Sequence, residues 1–194
     1  MGLFSKIKEL FSAKALILRA IEEQEKKYTA LSALPTEELI ALADADLLGT
    51  VNFRIDREIA SRFERPFDFT LSERICDLSS EKQTVYLLSW YNDLMLHGGL
   101  FEFFSSEERV FAPRLEELLL EVNAPLHRSL YHSFFEANAL DINDLSAFAV
   151  ENAAVSDVWQ KQFPFSEFDE AYVKLPDLEA LLSAYIRDRI DRFI

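Results

Sequence analysis

Apolar residues recur every third or fourth position along most of the chain, and this period decides what it can fold into. Near the C-terminus Leu178, Leu181, Leu182, Tyr185, Ile186, Ile190 and Phe193 follow that spacing. A helix turns once in 3.6 residues, so these side chains share one stripe and bury it together. Phe4, Ile7, Leu10, Phe11, Ile17, Leu18 and Ile21 repeat the pattern at the other end. No segment alternates apolar and polar residues over the length of a strand, so a sheet has nothing to be built from. The expected fold class is all-α.

The helix breaks are equally readable. Pro35-Thr36-Glu37-Glu38 opens a helix with acids in its first turn, and Gly49 is the expected stop. Arg54 to Arg65 mixes charges and predicts a short exposed helix. Ser80-Glu81-Lys82-Gln83 matches a capping box and starts an apolar helix that runs to His97. Gly98-Gly99 breaks it before the aromatic run Leu100 to Phe104. Pro113 fits the first turn of a further helix, Pro125 starts the next, and Pro176-Asp177 opens the last. The stretch 138–164, interrupted by Asn138, Asn143, Asn152 and Pro164, predicts several short helices. We expect a single helical domain over 66–194 with an N-terminal helical extension over 1–65. With 194 residues, 17 Phe and only 4 Gly, the chain can bury a core without staples. The lone Cys76 rules out an intrachain disulfide and reads as a small buried residue.

Charge limits the function. The net is −14, with 34 Asp and Glu against 20 Lys and Arg. Residues 1–34 carry +2, residues 35–100 carry −6, and residues 101–194 carry −10. No Lys or Arg lies between Arg128 and Lys161. Such a chain repels nucleic acid and anionic membranes, and it attracts basic protein surfaces. The expected partner is therefore a basic protein surface, with no direct binding of nucleic acid and no membrane. The basic N-terminal segment is expected to pack on its own acidic domain or on a second subunit, which leaves a homodimer open. Lys6 stands where a myristoylation motif wants Ser or Thr, and charged residues interrupt the apolar run a signal peptide would need. A cytoplasmic location is expected.

Little in the sequence points to catalysis. Asp93 and His97 lie four apart on one helix, too few ligands for a metal, and His127 and His132 diverge. No cofactor and no metal is implied, and the chain is expected not to be an enzyme. Two rows of acids are the candidate binding residues. The first is Glu136, Asp141, Asp144, Glu151 and Asp157, extended by Glu167, Asp169 and Glu170. The second is Glu107, Glu108, Glu116, Glu117 and Glu121.

His97-Gly98-Gly99-Leu100-Phe101-Glu102-Phe103-Phe104 resembles the Asn-Gly-Gly-Phe-x-Gln-Phe-Phe signature of a bacterial family of acidic, helical, DNA-mimic-like proteins. Gly98, Gly99, Phe103 and Phe104 match. His97, Leu100 and Glu102 depart from it. Phe168-Asp169-Glu170-Ala171-Tyr172, followed by a helix from Leu178 to Ile186, is similar to the family's ending. The resemblance covers roughly residues 80–190. It implies a structural role for His97, Gly98, Gly99, Phe101, Phe103 and Phe104, and occupation of a DNA-binding protein's basic site by surface carboxylates. Two other readings remain open: an immunity-type inhibitor of a basic nuclease toxin, and a carboxylate-based, metal-dependent hydrolase.

Overall fold

The computed structural model describes the backbone of residues 3–63, 65, 69–149 and 153–194, and the side chains of all of these except 3–15 and 153–157. Among the described residues there are α-helices and 3-10 turns and no strand. The helices are α1 (Leu3–Ser32), α2 (Thr36–Ile40), α3 (Asp44–Arg62), α4 (Leu71–Ile75), α5 (Ser80–His97) and α6 (Gly99–Ser105). They continue with α7 (Ala112–Glu121), α8 (Pro125–Asn138), α9 (Ala153–Gln162), α10 (Phe165–Tyr172) and α11 (Leu178–Asp188). The fold is an all-α single domain, and its core runs from Leu47 on α3 to Phe193 beyond α11.

The C-terminal stripe behaves as its spacing dictates. Leu178, Leu182, Tyr185, Ile186, Ile190 and Phe193 are buried and Leu181 is half-buried. Asp177 caps α11 by accepting from Glu179 N–H at 3.0 Å. α11 lies on α3 and α5. Arg187 locks it there: its guanidinium donates to the carbonyls of Ile40 and Leu42, at 3.0 and 2.7 Å, and to Asp44 at 2.6 Å. The α2–α3 junction and the last helix are therefore tied through one side chain.

Four local expectations need correction. Gly49 does not stop a helix; it sits inside α3, where Tyr28 of α1 lies so close that a Cβ would run into its ring. The glycine marks a helix crossing. Arg54–Arg62 is accordingly the second half of α3, and Ile55 and Ile59 on its inner face are buried at 1 % and 3 % exposure. Charged residues fill the positions between them, which hid the apolar period. The cap of α5 is Ser79, whose hydroxyl accepts from Lys82 N–H at 3.3 Å, one residue before the expected box. Cys76 is exposed, with its thiol toward the carbonyl of Glu73.

The aromatic run at the start of α6 forms the centre of the core. Phe103 and Phe104 are 1 % and 0 % exposed. The Phe104 ring lies 5.1 to 6.1 Å from those of Phe134, Phe135, Phe148 and Phe165. Phe101, half-buried, meets Phe165 edge-on at 5.3 Å. Edge-to-face contacts at these separations set the positive ring edge against the negative face and hold one arrangement. α6, α8 and α10 are packed together by these rings.

Candidate functional site

The glycine pair and the Phe-Asp-Glu-Ala-Tyr segment prove to be one unit. Gly99 has φ +75, a conformation that L side chains rarely adopt. Its Cα faces the carboxylate of Asp169 on α10, where any Cβ would collide. Asp169 accepts from Leu100 N–H at 2.9 Å and so satisfies an orphan donor at the start of α6. Burial pushes the Asp169 carboxyl upward, partly offset by that bond. Gly98 has an ordinary φ of −129, and its Cβ would meet the Glu102 side chain. His97 is exposed and only reaches back to Asp93, 2.8 Å from its carbonyl and 3.3 Å from its carboxylate. Asp169, a candidate binding residue, thus holds the fold.

Glu121 is used in the same way. Its carboxylate accepts from the hydroxyls of Tyr185 on α11 and Thr84 on α5, the latter at 3.0 Å. Burial, followed by the neighbouring Glu121, pushes the Tyr185 phenol well up. Glu107 pairs at 2.6 Å with Arg74, a guanidinium only 9 % exposed. Glu116 pairs with Arg128 at 2.9 Å and with His132 Nδ1 at 2.8 Å, while His132 Nε2 lies 3.3 Å from Glu136. The hydrogen bond from Glu116 raises the His132 pKa, helped by the charges of Glu116 and Glu136. These partners lie up to 64 residues away in sequence, beyond what a helical spacing can show.

What remains is a smaller set of outward carboxylates. Glu117 on α7 and Glu167 and Glu170 on α10 are exposed and make no ion pair or hydrogen bond among the described residues. Glu108 is half-buried and likewise unpaired. Asp141 and Asp144 are exposed in the loop after α8, where each accepts from its own neighbours, Asn143 N–H at 2.9 Å and Ser146 N–H at 3.2 Å. Such bonds lock the loop while leaving the charge; the Ser146 bonds hold the Asp144 carboxyl below its usual range. Glu151 and the side chain of Asp157 lie outside the described residues. α7 packs on α8 and α8 on α10, and these acids lie on α7 and α10, in the 3-10 turn before α7 and in the loop after α8.

Among the described residues no group of three or more His, Cys, Asp and Glu side chains is placed to hold a metal ion. Two open grooves flank α1, one of about 290 Å³ lined by Arg54, Arg57 and Phe53, the other of about 410 Å³ lined by Glu22, Glu25 and Lys26. Neither gathers three acids. No described helix is long and apolar enough to cross a membrane. No curated protein and no solved structure matches the chain. A protein-family model described as DMP19-like protein does match, over residues 76–189, a span that includes both the Gly98-Gly99 turn and its Asp169 cap. The chain belongs to the DMP19-like protein family.

Proposed function

We propose that the chain acts by binding rather than catalysis, as an acidic protein that occupies the basic site of a DNA-binding protein. Membership of the DMP19-like family supports this reading, in keeping with the mimic-like resemblance of its signature. The observation that carries it is the set of exposed carboxylates that have no cationic partner among the described residues, Glu117, Asp141, Asp144, Glu167 and Glu170, beside a span of sequence from 129 to 160 that has no Lys or Arg. A partner's basic residues seek phosphates, and a carboxylate row offers them the same charge at a similar density. Glu167 and Glu170, three residues apart on α10, are separated by a rise of about 4.5 Å.

The test is a competition titration of a captured DNA-binding partner, labelled DNA and this protein at several salt concentrations. Protein and DNA should exclude each other, and binding should weaken as salt rises, because exposed charges are screened beyond about 8 Å at physiological ionic strength. Reversing Glu117, Glu167 and Glu170 to Lys should weaken capture with no change in the melting profile. A freely formed ternary complex, or salt-insensitive binding, refutes the mimic.

A further inference from the structure

The outer part of α1 is apolar and exposed from Leu16 to Ile21, and the sequence up to Ile21 is basic in a protein that is otherwise acidic. Leu16, Ile17, Leu18 and Ile21 are 65 %, 61 %, 51 % and 54 % exposed. Among the described residues the ties of α1 to the body begin further along, at Glu25 with Arg57, Lys27 with Asp46 and Tyr28 beside Phe53. The expected packing of this segment on its own domain is therefore absent from Leu16 to Gln24. Residues 1–21 contain four basic side chains and one acidic one, a net of +3, so the other 173 residues hold −17.

We infer that the outer part of α1 lies on an anionic lipid surface. Leu16, Ile17 and Leu18 are consecutive, and successive residues turn by about 100° on a helix, so together they cover more than half of its circumference. A seam against a second copy is narrow and must repeat. Here it would continue from Ile17 and Ile21 into Gln24 and Glu25, which are polar, and Tyr28 is already used by α3. A lipid interface instead takes a wide apolar face, with Lys and Arg toward the headgroups. The like charge of the body does not oppose this. Glu22 and Glu23 follow the stripe directly, Glu23 already paired with Arg19. Glu25, among the described residues the first acid of the helix tied to the body, is eleven residues from Lys14, a rise of about 16 Å or two screening lengths at physiological salt. Among the described residues Arg19 is paired with Glu23, at 2.9 Å with both side chains exposed, an exchange that costs little to break.

The full-length protein should sediment with vesicles of equimolar phosphatidylglycerol and phosphatidylcholine, not with pure phosphatidylcholine, and should be released by salt. Lys14→Glu with Arg19→Glu should reduce the partition at least about tenfold, since each cation near such a surface contributes several-fold. Ile17→Ser with Ile21→Ser should do the same, and both variants should keep the parent's urea midpoint because these side chains are more than half exposed. No sedimentation with the anionic vesicles, or equal sedimentation with neutral ones, overturns the inference. So does a dimer that the serine variant splits and that stays in the supernatant with vesicles, since the stripe would then be covered by a second copy.

Discussion

Replacing Gly99 with alanine should cost far more than one methyl group suggests, and the structure gives the size. Holding an L residue at φ +75 costs about 1–2 kcal/mol. The new Cβ also displaces the Asp169 carboxylate, whose bond to Leu100 N–H is charge-assisted and worth roughly 1.5–3 kcal/mol, less here because Asp169 is only half-buried. Together these come to about 2.5–4 kcal/mol, or roughly 5–16 °C in melting temperature for a chain of this size. Urea unfolding followed by far-ultraviolet dichroism measures it. The decisive comparison is the double-mutant cycle with Asp169→Ala. In that background the carboxylate is gone, so Gly99→Ala should cost only the dihedral part, and the two changes should be non-additive by about 1 kcal/mol or more. A Gly99→Ala protein within about 1 kcal/mol of the parent, or an equal cost in both backgrounds, would refute the coupling of turn and cap.

Two further outcomes follow from single residues. His127 is 2 % exposed, neither ring nitrogen has a partner, and burial lowers its pKa although Asp177 pulls it up; since the unfolded chain takes up the proton first, stability should fall as pH drops below the unfolded value of about 6.5. His127→Phe, which keeps the edge contact with Tyr172, should remove that part of the acid slope in urea midpoints measured from pH 7.5 to 5.5, a span of about two units around that value. Ala139 closes α8 at φ 52, with Leu140 N–H reaching the Phe135 carbonyl at 3.1 Å, a position where glycine is at ease; Ala139→Gly should raise stability by about 1 kcal/mol, and a loss would mean that the strain is relieved elsewhere.

The elements legible in the sequence are those whose signal is local. A stripe such as Leu178 to Phe193 needs only its own spacing to declare a buried face, and Pro113, Pro125 and Asp177 open their helices through their own backbone chemistry. Gly49 shows where local reading fails. A glycine in a polar stretch reads as a stop, yet here its missing side chain is filled by Tyr28, twenty-one residues earlier. Nothing near Gly49 in sequence distinguishes the two. The same blindness shortened α3, because the charges around Ile55 and Ile59 outnumber the two buried side chains of its second half.

For the candidate site the limit is sharper, because a carboxylate's role depends on what stands opposite it. All thirteen candidates are equivalent as letters in the sequence. Folding separates them: Asp169 and Glu121 are hydrogen-bonded into the scaffold, Glu107 and Glu116 answer Arg74 and Arg128, and Glu117, Glu167 and Glu170 are left to the solvent. One sequence clue did point to this division. Gly99 and Asp169 both fall inside the two segments that resemble the family, and a glycine needing positive φ beside an acid able to cap a helix is a reason for those segments to occur together. The signature is thus a statement about how α6 and α10 meet, whereas charges facing a partner can lie anywhere on the outer helix faces. Any loss of capture on reversing Glu167 or Glu170 should therefore leave the melting temperature untouched, while changes at Asp169 should move the melting temperature first.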